Sequence, residues 1–145
     1  YAYGTPSAPI ITAITGSANK LTVAFTAPTS DGGAAITNYE YSLNGGVTWT
    51  ALSPVDAASP IEITKLATGA TLTNGTTYQV AIRALNGKTG LTSNIVAGTT
   101  PLSPPTISAV AGNAAATITV GAGGTLTTPI TITLSQNLHV RAISE

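Results

Sequence analysis

The clearest hydrophobic pattern in this chain is an alternation of period two over residues 77–85. Every second residue from Tyr78 to Ala84 is apolar, and Gln79 and Arg83 occupy positions between them. Successive side chains of a β-strand point to opposite sides of the sheet, so this alternation predicts a strand with one buried face and one face in water. The segment therefore indicates a scaffold, and it carries no sign of catalytic chemistry.

Similar segments recur along the first part of the chain. Short stretches rich in Val, Ile, Thr and Tyr are separated by Gly, Pro, Asn and Asp at intervals of about ten residues, which is typical of an all-β sandwich. No stretch has a helical period long enough to predict a helix. Seven strands are predicted, over residues 10–14, 21–25, 36–43, 47–52, 61–66, 77–85 and 92–100.

Residues 42–49, SLNGGVTW, predict a hairpin between the third and fourth strands. Asn44 and Gly45 both tolerate positive φ, so the pair favours a tight turn. The segment also resembles the Asp-box hairpin of sialidase-type propellers, with Asn44 where the Asp would be. This resemblance implies a structural clip in which Gly46 belongs to the turn and Trp49 packs across it. A second interpretation has Trp49 exposed and stacking on a sugar ring or on a partner surface.

Three longer motifs, APTSDGGAAITNYEYSLNGGVTW, LTNGTTYQVAIRALN and GLTSNIVAGTTP, follow one another along the chain. In combination they make residues 6–101 resemble a fibronectin type III domain of the microbial kind. The resemblance implies an all-β, immunoglobulin-like sandwich of seven strands over residues 1–100. It also implies that Phe25 takes the core position where the family often has Trp. Tyr78 would form a tyrosine corner, its hydroxyl bonding to the backbone near Leu72.

The chain begins to repeat itself after Pro101. Residues 103–120, SPPTISAVAGNAAATITV, are similar to residues 7–23, SAPIITAITGSANKLTV. The separation of about 96 residues is the span of one such domain. The repeat predicts a Pro-rich linker over residues 101–106 and a second β unit over residues 107–145.

The second unit is too short to be a complete copy. Its segments PITITL and LHVRAIS resemble strands of the first unit, so four strands are predicted where seven are expected. Three alternatives follow: the chain is a piece of a longer protein, the second unit is a degenerate domain docked on the first, or strands of a neighbouring subunit complete it. The chain starts at Tyr1 and contains no Met, which favours a processed product or a fragment.

Charge is scarce and balanced. Charged residues make up 7% of the chain, and five Lys plus Arg offset five Asp plus Glu, whereas about a quarter of a typical soluble domain is charged. A net charge of zero gives no electrostatic basis for binding nucleic acid or an anionic membrane, and it removes the repulsion between copies of the chain. No apolar run approaches the ~18 residues of a membrane helix. Because Cys is absent, disulfides and thiolate metal sites are excluded.

Residues that could carry catalysis are few. His139 is the one histidine, and neither Cys nor a second His exists to share a metal ion with it. A serine nucleophile would need His139 as its base, but no strand-turn-helix elbow is predicted to present one. Asp31, which precedes Gly32 and Gly33, is typical of a turn. The chain is therefore predicted not to be an enzyme and to hold no cofactor or metal. Asn74, in the sequence Asn-Gly-Thr, matches the acceptor sequence for N-glycosylation. The resemblance to the fibronectin type III family implies the alternative that Asn-Gly-Thr forms the turn before Tyr78.

Two functions fit this picture, since a rigid sandwich without catalytic groups serves as a building block or a spacer. The first is a structural or adhesive module of an extracellular assembly, such as a microbial surface filament, a surface layer or a phage appendage. Its expected partners are copies of itself or neighbouring domains of a longer chain. The second is a spacer or carbohydrate-binding module of a secreted polysaccharide-degrading enzyme. Both place the protein outside the cell or in a phage virion, without membrane insertion.

Overall fold

The computed structural model describes residues 2–103 and, beyond them, the backbone of residues 106–107 and 118–119. The chain divides into two units, Tyr1–Ser103 and Pro104–Glu145. His139 and the strands predicted after residue 120 lie outside the described residues. All other candidate residues from the sequence belong to the first unit.

Seven β-strands form the first unit, and its described residues contain no helix. The strands make two antiparallel sheets, one in the order β1-β2-β5 and the other in the order β4-β3-β6-β7. The seven-stranded, immunoglobulin-like sandwich expected from the sequence is thereby confirmed. The strands are β1 (Ile10–Ser17), β2 (Lys20–Thr26), β3 (Asn38–Ser42), β4 (Thr50–Ala51), β5 (Ile61–Ile63), β6 (Thr77–Leu85) and β7 (Val96–Thr99).

Four strands are shorter than the sequence predicts: β3, expected over residues 36–43, β7, expected over residues 92–100, and the edge strands β4 and β5. β4 was expected over residues 47–52, but only Thr50 and Ala51 pair with β3, because the residues before them form a long loop. β5 was expected over residues 61–66 and ends at Ile63. The chain turns directly after it, where the Leu66 N–H donates to the Ala70 carbonyl at 2.7 Å.

The core consists of the inward-facing residues of both sheets, which alternate with outward-facing residues along the strands. On β2, Leu21, Val23 and Phe25 are buried, while the residues between them are partly exposed. The Phe25 ring meets the Tyr39 ring edge to face with their centroids 4.7 Å apart, a favoured aromatic geometry. Burying one large aliphatic side chain completely stabilises the fold by ~1.5–3 kcal/mol. The large aliphatic residues with no exposed surface are Leu21, Val23, Ile61, Ile63, Val80 and Ile82.

The first and last strands close one side of the sandwich. The side chain of Asn94, which precedes β7, accepts the Ile11 N–H at 2.8 Å and donates to the Ile11 carbonyl at 3.1 Å. Near the other end of β1, the backbone of Thr99 packs against Gly16. A Cβ atom on Gly16 would lie 1.8 Å from the Thr99 carbonyl oxygen. β1 and β7 are therefore in direct contact, and this contact depends on the absence of a side chain at Gly16.

Two tyrosines of β3, Tyr39 and Tyr41, extend into the core, and their hydroxyls differ in hydrogen bonding. The Tyr41 hydroxyl donates to the Lys65 carbonyl at 2.7 Å. Tyr39 is 0% exposed, and its buried hydroxyl has no hydrogen-bond partner among the described residues. Burial raises the pKa of both hydroxyls above the ordinary value of 10.0, because desolvation disfavours the phenolate.

We expect the folded state to lose stability as the pH rises above about 10. In that range the unfolded chain releases tyrosine protons that the folded state keeps on Tyr39 and Tyr41, so the unfolded state binds fewer protons and the free energy of unfolding falls. Below that range neither group ionises, and their contribution does not change with pH. Urea unfolding at several pH values measures the slope, which Tyr39→Phe should reduce. A slope that this variant leaves unchanged would rule out Tyr39 as its source.

The second unit has one described pair of strands. β8 (Thr106–Ile107) and β9 (Ile118–Thr119) pair antiparallel, with Thr106 opposite Thr119 and Ile107 opposite Ile118. The boundary between the units falls after Ser103, inside the linker expected over residues 101–106. No helix in the described part of the chain is long and apolar enough to cross a membrane.

Candidate interaction surfaces

Tyr78 fastens the turn that precedes β6. Its hydroxyl oxygen accepts the Thr73 N–H at 2.9 Å, one residue beyond Leu72, near which the sequence placed this contact. Leu72 is itself buried, and its N–H donates to the Thr64 carbonyl at 3.2 Å. The turn is thus held both by a side chain of β6 and by the segment that follows β5.

Replacing Tyr78 with phenylalanine is expected to lower the free energy of unfolding by about 1 kcal/mol or more, because it removes a hydrogen bond to a partly buried N–H. Tyr39→Phe is the matched control, since the Tyr39 hydroxyl has no partner to lose. That change should be neutral or stabilising. Urea denaturation at neutral pH compares the two variants, and equal losses would contradict the role given to Tyr78.

The loop over residues 43–49 differs from the tight turn that the sequence predicts at Asn44 and Gly45. Positive φ falls on Gly45 and Gly46, at 72° and 93°, while Asn44 does not adopt it. Asn44 acts through its side chain instead: its Oδ1 accepts the Ser42 hydroxyl and the Thr48 N–H, each at 2.9 Å. The Ser42 hydroxyl oxygen in turn accepts the Gly46 N–H at 2.8 Å. The loop is therefore a clip held by side chains.

Trp49 closes this clip and packs against the outer face of the four-stranded sheet. Its Nε1 donates to the Gly46 carbonyl at 3.0 Å. The Arg83 guanidinium lies over the indole ring, 4.1 Å from its centroid, and the Arg83 Nε donates to a Glu40 carboxylate oxygen at 2.6 Å. One face of the Trp49 ring is thus occupied by a cation that is already paired, a contact worth ~0.5–1 kcal/mol at a partly exposed site.

The segment that leaves the sandwich is hydrogen-bonded at what we call the exit pole: residues 73–76 and residues 100–103. Asn74 is one of these residues. The Asn74 Oδ1 accepts the Asn19 N–H at 2.7 Å, and its Nδ2 donates to the Ser103 hydroxyl at 3.0 Å. The Gly75 N–H donates to the Pro101 carbonyl at 2.9 Å. The Asn74 amide, to which a glycan would be attached, is therefore already engaged in holding the leaving chain.

The N-terminal segment is held at what we call the entry pole: residues 3–7, residues 30–33 and residues 86–88. Asn86 is buried, and its Nδ2 donates to the Gly4 carbonyl at 3.0 Å and to the Asp31 carbonyl at 2.6 Å. Its Oδ1 accepts the Lys88 N–H at 3.0 Å. One asparagine thus joins the entering chain to two loops.

Asn86 and Asn94 were not singled out from the sequence, although each fixes a segment distant along the chain. Asn86 precedes Gly87, and this pair is the one signal that could have found it, since the Asn-Gly pair at residues 44–45 predicts a turn. Asn94 stands between Ser93 and Ile95, and no local pattern distinguishes it. Their roles depend on contacts more than eighty residues apart.

An apolar cavity of about 280 Å³ lies beside β4, on the side of the sandwich away from β1 and β7. Tyr41, Leu43 and Leu66 form much of its wall, and Thr50 of β4 borders it. β4 is the outer strand of its sheet and pairs only with β3 among the described residues. The sandwich is therefore open at this edge, in contrast to the closed side at β1 and β7.

The described residues bring no catalytic constellation together. No group of three or more His, Asp or Glu side chains that could hold a metal ion occurs among residues 2–103. In the same range the ion pairs are Lys20–Glu62 at 2.8 Å and Arg83–Glu40 at 2.6 Å. The acids are thus paired with bases or, like Asp31, used in turns, where its carboxylate accepts the Gly33 N–H at 2.8 Å.

Comparisons with known proteins add a structural likeness. No protein-family model matches the chain, and a search of curated proteins finds no match. One solved structure that is similar to this chain is the sixth fibronectin type III domain from human fibronectin type III domain containing protein 3, with 23% sequence identity and a TM-score of 0.47. The match covers 75% of this chain and 98% of that domain. The fold assignment given above stands on the strand order and the shared core of this chain.

Proposed function

We propose that this protein is a non-catalytic structural module that builds an extracellular assembly, such as a microbial surface filament, a surface layer or a phage appendage. The observation that carries the proposal is that the chain enters and leaves the sandwich at opposite ends and is hydrogen-bonded into the fold at both. A module of this kind fixes where the chain enters and leaves and in which direction it continues, as a building block must.

The distance between the two poles follows from β1. The segment before β1 is bonded at the entry pole, where the Ser7 N–H donates to the Ser30 carbonyl at 2.9 Å. The turn after β1 reaches the exit pole, where Asn19 bonds to Asn74. The eight residues of β1 span about 23 Å at ~3.3 Å per residue. The module therefore sets its two connections well apart along the strand direction.

The exit pole restricts the direction in which the chain leaves. The Thr100 hydroxyl donates to the Thr73 carbonyl at 2.7 Å, and the Thr100 N–H donates to the Thr76 carbonyl at 3.0 Å. Pro101 follows directly, and its fixed φ limits the backbone further. A chain that is bonded and stiffened in this way leaves in one direction, which suits a repeated array.

Surface chemistry gives the proposal a second support. The zero net charge and the low content of charged residues remove the repulsion that would keep copies apart. This balance suits a protein that stands packed beside other copies of itself or beside neighbouring domains of a longer chain.

Negative-stain electron microscopy of the whole chain at high concentration tests the proposal. We expect ordered fibres or lattices. Isolated particles at every concentration, together with chemical crosslinking that captures only monomers, would contradict it.

The alternative is an accessory module of a secreted polysaccharide-degrading enzyme, in which Trp49 stacks on sugar. The covered ring face of Trp49 and its bond to Gly46 weigh against that function. We expect the chain not to bind chitin, cellulose or starch in a pull-down assay. Binding that Trp49→Ala abolishes, while Tyr3→Ala leaves it intact, would favour the alternative.

A further inference from the structure

The chain contains three Asn-Gly pairs, at residues 44–45, 74–75 and 86–87. In this dipeptide asparagine loses its amide most readily, because glycine has no side chain to keep its backbone nitrogen from reaching the preceding Asn Cγ atom. The reaction needs a free glycine N–H and an asparagine side chain that can turn toward it. Hydrogen bonds to either group therefore decide whether a given pair reacts.

The fold holds the three asparagine side chains in different ways. Asn86 is buried, and its Nδ2 donates to two carbonyls. Asn44 is bonded within its own clip, where its Oδ1 accepts the Thr48 N–H. Asn74 is half-buried, and its Nδ2 donates to Ser103, which lies in the leaving segment. The bonding of Asn74 thus depends on a segment that follows the last strand of the sandwich.

The same segment also covers the nitrogen that would attack. The Gly75 N–H donates to the Thr100 and Pro101 carbonyls at 3.1 and 2.9 Å. Leu102 packs against Gly75, where a Cβ atom would lie 2.5 Å from the Leu102 Cδ2. Residues 100–103 belong to no strand, and segments of this kind open locally at a lower free energy than core strands. They can therefore detach, and free both reactive groups, while the sandwich stays folded.

We propose that Asn74 is a conditional modification site, which keeps its amide while residues 100–103 are bonded at the exit pole and loses it when they detach. In the detached state the Gly75 nitrogen gives its proton to solvent and attacks the Asn74 Cγ atom. The Cγ–Nδ2 bond breaks, and its electron pair leaves with ammonia. Water then opens the cyclic imide at either of its carbonyls. The products are aspartate and isoaspartate, each with a carboxylate in place of the amide.

The change prevents the exit pole from forming again as it was. A carboxylate accepts hydrogen bonds but does not donate them, so the bond that Asn74 donates to Ser103 is lost. In isoaspartate the main chain runs through the former side chain and is longer, which moves the Gly75 N–H away from its two carbonyl partners. The modification makes a transient release of the leaving segment permanent. This inference goes beyond the proposed function and does not depend on assembly.

Mass spectrometry of the whole chain tests the proposal, because trypsin places the three pairs in separate peptides, residues 21–65, 66–83 and 84–88. The chain is incubated at neutral pH, in buffer and in guanidinium chloride, and then digested briefly at mildly acidic pH. We expect peptide 66–83 to lose its amide at least about tenfold more slowly in buffer, since release must precede reaction. Equal rates in the two solutions would overturn the proposal.

Thr100→Val opens the exit pole selectively. The change nearly keeps the size of a buried side chain and removes the bonds that its hydroxyl makes with Thr73 and Thr76. We expect amide loss in peptide 66–83 and hydrogen exchange of the Gly75 N–H, followed by NMR, to rise together by about tenfold. The other two peptides should stay within about twofold of the parent chain, because their pairs lie outside the exit pole.

Two further variants complete the test. Ser103→Ala removes one partner of Asn74 and should raise amide loss in peptide 66–83 by about threefold. Thr99→Val, the matched control, makes the same change as Thr100→Val at an exposed position whose hydroxyl bonds to Thr77. It should leave all three peptides unchanged.

Three results would overturn the proposal. An equal rise in all three peptides of Thr100→Val would mean that Asn74 reacts from the globally unfolded chain. Faster exchange at Gly75 without faster amide loss would mean that release of the segment does not control the reaction. An effect of Thr99→Val as large as that of Thr100→Val would mean that the exit pole has no special part in protecting Asn74.

Discussion

Alanine at position 16 is expected to lower the free energy of unfolding by about 3 kcal/mol or more. A Cβ atom there would lie 1.8 Å from the Thr99 carbonyl oxygen and 2.9 Å from the Thr99 carbonyl carbon. These are backbone atoms of the neighbouring strand, so no side-chain rotation can relieve the clash. β1 and β7 would have to separate, which would also strain the bonds between Asn94 and Ile11. Urea denaturation of Gly16→Ala measures the loss.

Gly69→Ala is the control for this prediction. Gly69 has a φ of 85°, and a Cβ atom on it would meet nothing within 4 Å, so the change costs only the ~1–2 kcal/mol of the left-handed backbone conformation. Gly16 does not adopt the left-handed conformation, so the cost of Gly16→Ala is purely steric. A Gly16→Ala protein that is as stable as Gly69→Ala would show that the first and last strands are not in close contact.

Removing the Asn86 side chain is the second change with a large expected effect, about 2–4 kcal/mol of unfolding free energy. Asn86→Ala deletes the donor to the Gly4 and Asp31 carbonyls and the acceptor of the Lys88 N–H. Because Asn86 is buried, the groups left behind have little access to water. We also expect the N-terminal segment to be cut by protease before the rest of the domain unfolds. Urea denaturation and limited proteolysis followed by mass spectrometry measure the two effects.

Lys88→Ala is the matched control at the entry pole. The Lys88 ammonium contacts Tyr3 through its ring and its carbonyl, but Lys88 is exposed, so its removal should change stability by less than about 0.5 kcal/mol. Similar small effects of both variants would mean that the entry pole is not fixed by Asn86. In that case the proposal that the module sets the direction of the entering chain would lose its main support.

Gly16 and Asn86 belong to different parts of one arrangement. Gly16 allows the first and last strands to lie in contact, and Asn86 fixes the chain before the first of them. The exit pole, through Asn74, Gly75 and Thr100, does the same after the last strand. A structural function needs all of these features together, because a block whose ends swing freely cannot set the position of the next one.

The strands could be predicted because their information is local. Burial of one face of a sheet selects apolar residues at every second position, and this period is visible in residues 77–85 without reference to any other part of the chain. Turn residues mark where each strand must end. The same logic placed Tyr78 at the start of β6, and the family resemblance placed Phe25 of β2 in the core. It failed for the length of β4, because a run of strand-forming residues does not show whether they pair.

The sequence by itself thus determined that the first part of this protein is an all-β sandwich, which strands it contains and which of their faces are buried. Only the tertiary structure decided how Arg83 covers Trp49, how Asn86 and Asn74 hold the two ends of the chain, and which edge stays open beside the cavity. The physical reason is that side-chain alternation is a property of neighbouring residues. These contacts, by contrast, join residues that are far apart in the sequence, and no local period records them.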